Sequence, residues 1–159
     1  LFTKSLFPHV MSIKLKVYEK CLELVDQKVL IAQKAMKEAQ DSANSEEKST
    51  AGDKYDTARA MSQIERDMHA KQFTEALHLK QIFEGISISK PSKSIQVGSL
   101  IYTSIGKFFM SIALGKLEIE GEAIVVISPL SPLGQFLLDK KAGKKVKFNG
   151  KEIELIEVL

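Results

Sequence analysis

The sequence predicts an α+β protein in two parts: an N-terminal long antiparallel two-helix coiled coil and a C-terminal small antiparallel β-sheet domain with one short helix. Apolar residues recur with a helical period as far as Glu84, whereas short β-branched runs and glycine turns follow residue 96. Between them, residues 85–96 contain Gly85, Pro91 and four serines, a composition that ends a helix. We therefore divide the 159 residues into an extension or tag-like segment at 1–10, a coiled coil with an acidic tip at 11–86, a linker at 87–96 and the sheet domain at 97–159.

The first helix is predicted from a heptad seam. From Met11 onward, apolar residues alternate at spacings of four and three over more than four heptads: Met11, Leu15, Tyr18, Leu22, Val25, Val29, Ala32, Met36, Ala39 and Ala43. A seam of this length needs a second helix to bury it. The stretch 53–84 supplies one, with expected apolar positions Tyr55, Ala58, Met61, Ile64, Met68, Phe73, Ala76, Leu79 and Phe83. The polar segment 44–52 turns the chain back, so residues 13–43 and 53–84 are expected to pair within one chain.

The turn of this hairpin is acidic. Residues 38–56 hold six carboxylates against two lysines, a net charge of −4. Two interpretations are open for this cluster. Its carboxylates supply oxygen ligands for a hard cation such as Mg²⁺, or they form a solvated end in which Asp53 favours the start of the second helix.

The C-terminal part is predicted as about five antiparallel strands and one covering helix. The strands are expected at residues 96–103, 107–114, 122–127, 145–149 and 151–158. Ser131 is suited to cap a helix with Pro132 at its first position, and this helix runs to about Lys140. Asn149-Gly150 signals a type I′ hairpin between the last two strands. Five lysines follow the helix and form either a solvated turn or a docking patch: Lys140, Lys141, Lys144, Lys145 and Lys147.

Composition excludes several classes of protein. A single cysteine, Cys21, excludes a disulfide scaffold and a cysteine-based zinc cluster, and its place on the coiled-coil helix favours a structural thiol over a nucleophile. The three histidines (His9, His69 and His78) lack the spacing of a metal pair, and no phosphate-binding glycine loop is present. The formal net charge of +3 is too small to indicate a DNA-binding surface. The sequence contains no run of 18 apolar residues, so it does not predict a membrane-spanning helix. We expect a cytoplasmic protein.

The segment 127–148 carries a family signature. It reads Ile-Ser-Pro-Leu-Ser-Pro-Leu-Gly-Gln-Phe-Leu-Leu-Asp-Lys-Lys-Ala-Gly-Lys-Lys-Val-Lys-Phe. Together with the order of the parts, it resembles the Gre family of bacterial transcription elongation (transcript-cleavage) factors: Ser-Pro before a short helix, paired leucines, two lysines, a glycine and a last hairpin. The resemblance covers nearly all of residues 11–159, strongly over 121–158 and more loosely over the coil.

The resemblance implies a fold, a partner and a role. The sheet domain is expected to be FK506-binding-protein-like and to dock on RNA polymerase, with Ser131, Pro132, Gly134, Lys140 and Lys141 as candidate docking residues. The coil is expected to enter the secondary channel of the polymerase, where Glu46, Glu47 and Asp53 would assist a Mg²⁺ ion shared with that enzyme. The polymerase remains the catalyst, so the chain is expected to be no enzyme and to bind no cofactor alone. Neither a membrane nor sequence-specific nucleic acid is expected as a partner.

The tip departs from the family pattern. Typical cleavage factors carry an Asp, then a Glu three residues later, followed by Asn-Ala-Glu-Tyr. Here Glu47 stands for the first acid, and Thr50 stands where the second acid belongs. Tyr55 matches the family tyrosine, one residue later than this spacing places it. Two other hypotheses therefore remain open: a non-cleaving polymerase modulator of the same fold, and a generic coiled-coil interaction module.

Overall fold

A computed structural model describes the backbone of residues 3–47, 52–90 and 92–159, and the side chains of residues 13–45, 56–90 and 92–159. It confirms the predicted α+β fold, with two long helices packed against each other and a mostly antiparallel sheet with a short helix. The helices are α1 (Thr3–Glu47), α2 (Gly52–Glu84) and α3 (Pro132–Leu137). The strands are β1 (Leu100–Thr103), β2 (Gly106–Met110), β3 (Gly115–Ile119), β4 (Glu122–Ile127), β5 (Lys145–Phe148) and β6 (Lys151–Val158).

Contacts divide the chain into two compact units. The helical unit spans Leu22–Ile82, and the sheet unit contains the chain up to Cys21 and from Phe83 onward. Both long helices therefore contribute to both units. Helix α1 begins at Thr3, within the segment 1–10 that the sequence sets apart as an extension.

Within the helical unit, α1 and α2 are antiparallel, as predicted. The ammonium of Lys80, near the end of α2, lies 2.7 Å from a carboxylate oxygen of Asp26, near the point where α1 enters the helical unit. Further along, Met36 and Gln40 of α1 line the same groove as Arg66 of α2. Later residues of one helix thus meet earlier residues of the other.

The predicted seam is correct for most of α1 and partly wrong for α2. Val25, Ala39 and Ala43 of α1 are buried, although Leu15 is exposed. On α2, three expected seam residues are exposed instead: Met61, Ile64 and Met68. The less exposed positions of α2 are Ala58, Ser62, Gln63, Arg66, His69, Ala70, Phe73, Ala76, Leu79, Lys80 and Phe83. On α1 the buried seam residues toward the end of the helix are the small side chains of Ala39 and Ala43.

The described strands form one sheet with the order β3-β4-β2-β1-β6-β5. All neighbours are antiparallel except β2 and β4, which are parallel. The sequence did not predict β3 or the parallel pair, and it placed the end of β2 too late. After Met110 the chain crosses to the edge of the sheet and returns through a β3–β4 hairpin, whose turn residues Glu120 and Gly121 both have positive φ. The predicted Asn149-Gly150 turn is confirmed, with φ values of 49° and 79°.

A β-bulge explains the imperfect alternation in the last strand. Tyr102 of β1 pairs with Glu157 of β6, but the next residue, Thr103, pairs with Leu155, so Ile156 is an extra residue without a partner on β1. An extra residue in a bulge interrupts the alternation of side chains between the two faces of the sheet. Ile156 is accordingly 59% exposed, although the sequence suggests an inward position.

The sheet unit has buried side chains on both faces of the sheet. On the α3 side the core consists of Ile95, Ile101, Phe108, Met110, Leu137, Ile153 and Leu155. On the other side Leu100, Phe109, Leu117, Ile124 and Val126 are buried. The start of α1 belongs to the same unit: Lys16 forms an ion pair with Glu120, and the Tyr18 ring stacks on Phe83 with centroids 4.7 Å apart.

The end of the predicted linker is part of this core. Ile95 is fully buried, its amide donates to the carbonyl of Lys140 at 2.8 Å, and its carbonyl accepts from the amide of Asp139 at 2.9 Å. These hydrogen bonds attach the segment before β1 to the chain that follows α3.

Candidate functional site

Three of the candidate docking residues build the N-terminal cap of α3. The hydroxyl of Ser131 donates to the carbonyl of Ser128 at 2.7 Å and accepts from the amide of Gly134 at 3.0 Å. Pro132 follows at the first helical position, where its missing N–H costs nothing. Gly134 is buried, and a Cβ there would overlap the carbonyl of Ser128 well inside 3.0 Å. The cap therefore holds the loop 128–131 tightly against α3.

Lys140 is attached to the other end of α3. Its ammonium donates to the carbonyl of Phe136 at 2.5 Å and lies 4.2 Å from the centre of the Phe136 ring. That ring in turn contacts Phe148 of β5, with centroids 5.0 Å apart. A cation beside the last carbonyls of a helix is favourable, so Lys140 has a structural partner.

The remaining lysines of the cluster differ in their surroundings. Lys145 and Lys147 on β5 stand opposite Glu154 and Glu152 on β6, and the ammonium of Lys145 lies 3.6 Å from Glu152. Lys141 and Lys144 are exposed, and neither forms an ion pair with the part of the chain that the structure describes. Leu130, in the capping loop, is 81% exposed. We name Leu130, Pro132, Lys141 and Lys144 the α3 surface, since these exposed residues flank α3 at its two ends.

The tip acids lie outside the described side chains. Backbone positions place Glu46 and Glu47 at the end of α1 and Asp53 at the second residue of α2, whereas Thr50 is outside the described residues altogether. Among the residues with described side chains, Glu38, Asp41 and Asp56 are exposed. No group of three or more metal-ligating residues occurs in that described part.

Two titratable side chains on α1 are buried in the sheet unit. The thiol of Cys21 has no exposed surface, and burial raises its pKa to about 12, so it stays protonated and unreactive at neutral pH. Burial of Cys21 is consistent with the interpretation as a structural thiol. Lys14 is 3% exposed, and burial lowers its pKa. Lys14 was not predicted to be buried, although its spacing to Val17 and Cys21 places it on one face of α1 with two buried residues.

A groove in the helical unit was also not predicted. It encloses about 370 Å³ and is lined by Gln33, Met36, Lys37, Gln40, Arg66 and Ala70. The guanidinium of Arg66 lies 3.3 Å from the carboxylate of Asp67, which leaves Lys37 as the main positive charge of the groove. One exposed lysine beside an apolar floor does not define a ligand.

In the described residues, none of the helices combines the length and apolarity required to cross a bilayer. Neither the scan against protein-family models nor the search of curated proteins gives a match to the chain.

Proposed function

We propose that the chain is a Gre-like factor that binds RNA polymerase, with the sheet unit as the docking part and the hairpin of α1 and α2 entering the secondary channel. One observation carries the proposal: an antiparallel helical hairpin with an acidic turn is followed by a mostly antiparallel sheet in which the signature residues cap a short helix. An FK506-binding-protein-like class for the sheet is part of the same proposal.

The α3 surface is the docking site in this proposal. Ser131 and Gly134 act indirectly, because their hydrogen bond fixes the loop that carries Leu130 and Pro132. Lys140 is engaged with Phe136, so the charged contacts fall to Lys141 and Lys144. An exposed leucine and proline at the start of α3, with two exposed lysines after its end, suit a partner surface that is apolar with an acidic rim.

In this proposal the tip of the hairpin assists a reaction that the polymerase catalyses. Glu46, Glu47 and Asp53 are the residues that would supply oxygen ligands to Mg²⁺ in the complex. Such an ion, if held there, would supply electrostatic stabilisation of the oxygens that exchange at phosphorus when water attacks the RNA backbone. The chain contributes ligands and position, whereas the polymerase contributes the reaction centre.

Binding is tested with purified bacterial core polymerase. The charge reversal Lys141→Glu with Lys144→Glu is expected to weaken binding about tenfold or more. The two lysines would attract an acidic partner surface, whereas glutamates would repel it. The matched control reverses two exposed lysines outside both the α3 surface and the helical hairpin, Lys90 before β1 and Lys116 on β3, and should bind like the parent. Equal binding by both folded double variants would refute the α3 surface as the docking site.

Cleavage is tested in stalled elongation complexes. The variant Glu46→Gln, Glu47→Gln, Asp53→Asn should keep its melting temperature and polymerase affinity while RNA cleavage collapses. A parent chain that binds without stimulating cleavage supports the second candidate, a non-cleaving modulator. The threonine at position 50 specifically favours this candidate, and Thr50→Glu should then restore part of the activity. A chain with no affinity for polymerase leaves the third hypothesis, a generic coiled-coil interaction module.

A further inference from the structure

The outer face of α2 carries a second heptad stripe. Its positions are spaced 3-4-3-4-3-4 and are Met61, Ile64, Met68, Lys71, Glu75, His78 and Ile82. All seven residues are exposed, and the four apolar members retain 65%, 67%, 50% and 48% of their accessible surface. This spacing keeps the residues on one side of a helix, roughly opposite to the half-buried Ala58, Ser62, Phe73 and Ala76. Helix α2 therefore has two seams, and α1 covers one of them.

We infer that the second seam binds the same seam of a second copy of this chain, with the two α2 helices antiparallel. Apolar residues lie at both ends of the stripe and opposite charges lie in its middle. When Lys71 of one copy stands opposite Glu75 of the other, Ile64 stands opposite Ile82 and Met68 opposite His78. The pairing is isologous, so each of these contacts forms twice. This inference does not depend on the proposed function.

The charge pattern selects this pairing over two others. In a parallel, in-register pair, Lys71 would face Lys71 and Glu75 would face Glu75 of the second copy, and like charges repel. An antiparallel pair shifted by one heptad would place Ile64 against Glu75 and Met68 against Lys71. Each charged side chain would then lose hydrating water against an apolar residue, which is unfavourable. Of the three registers, only the first matches charge with opposite charge and isoleucine with isoleucine.

The stripe is long enough for a dimer but too polar for a permanent one. It covers 22 residues, about 33 Å of helix. Three of its seven positions are charged or imidazole side chains, whereas a constitutive coiled coil is apolar at nearly all of them. We therefore expect a concentration-dependent dimer with a dissociation constant in about the micromolar range.

The full chain is tested by sedimentation velocity over a range of concentrations. Ile64→Glu should raise the dissociation constant about tenfold or more, because it places a charge against Ile82 of the second copy. Ile31→Glu is the matched control: it changes the same residue type at 69% instead of 67% exposure, but on α1 and outside the stripe. Thermal melts of both variants establish that each is folded.

A charge exchange tests the register itself. Lys71→Glu and Glu75→Lys should each weaken the dimer, and the double variant should restore it, because the pair re-forms with reversed polarity. The two residues are also four apart on one helix, so thermal stability is measured separately from association. A monomer at every concentration, a dimer that Ile64→Glu does not weaken, equal loss with Ile31→Glu, or a dimer that the exchanges leave unchanged or fail to restore would each overturn the inference.

Discussion

The sheet unit and the helical unit bury their side chains to very different degrees. Phe83, Phe109, Met110 and Leu137 of the sheet unit have almost no exposed surface. Among the described residues of the helical unit, the buried side chains are only those of Val25, Ala39 and Ala43. Burial contributes roughly 25 cal/mol per Å² of apolar surface, so the helical unit gains much less from packing. A long heptad seam in a sequence therefore does not guarantee a tightly buried interface.

The largest expected effect comes from the core of the sheet unit. Leu137 is 1% exposed, so Leu137→Asp should unfold this unit, and Leu137→Ala should cost about 2–5 kcal/mol. The counterpart in the helical unit is Val25→Ala, which removes a smaller side chain from a thinner core and should cost about 1–2 kcal/mol. Urea denaturation measures both alanine variants. A cost for Val25→Ala that equals or exceeds that of Leu137→Ala would contradict the conclusion that the helical unit gains less stability from packing.

The second effect comes from the close approach of a loop to α3. Gly134→Ala should destabilise the sheet unit by about 1–3 kcal/mol, because the added methyl group overlaps the carbonyl of Ser128. Gly143→Ala is the control: it has open space around it but a φ of +82°, so strain alone should cost about 1 kcal/mol. Melting temperatures compare the two, and a smaller loss at Gly134 would contradict the tight cap.

Lys14 is an exception within the well-packed sheet unit. Because burial lowers its pKa, the folded protein binds this proton less readily than the unfolded chain. The resulting penalty is fully present below the folded pKa and disappears as the pH rises to the unfolded value of about 10.5. Lys14→Met should therefore stabilise the protein at pH 7, by on the order of 1 kcal/mol. Melts at pH 7 and above pH 10 test this, and an equal gain at both pH values would exclude burial of the charge as the cause.

The smallest effect is expected at the tip of the hairpin. Glu46 and Glu47 end α1, where a negative charge opposes the helix dipole, whereas Asp53 begins α2, where it is favourable. Glu46→Gln with Glu47→Gln should raise the melting temperature slightly and Asp53→Asn should lower it slightly, each by less than about 0.5 kcal/mol of stability. A large change in either direction would indicate a structural role for these acids.

Signals carried by neighbouring residues were enough to predict several elements. Asn149-Gly150 predicts its hairpin because both residues tolerate positive φ, and Ser131 with Pro132 predicts the start of α3 because a hydroxyl and a fixed φ suit a helix cap. The heptad seam of α1 was predicted for the same reason, since its period is a property of one helix. Ser131 and Gly134 were likewise identified as site candidates from their local motif.

Tertiary structure decided what depends on partners distant in the chain. Helix α2 carries two stripes, and its packing leaves Ala58 half-buried while Ile64 stays exposed. The parallel pairing of β2 with β4 and the bulge at Ile156 arise from strand neighbours that no local pattern identifies. Sequence alone therefore determined the two long helices, the cap of α3 and the last hairpin, because these depend on local backbone preferences. The fold determined which faces meet, because burial depends on contacts between segments far apart in the chain.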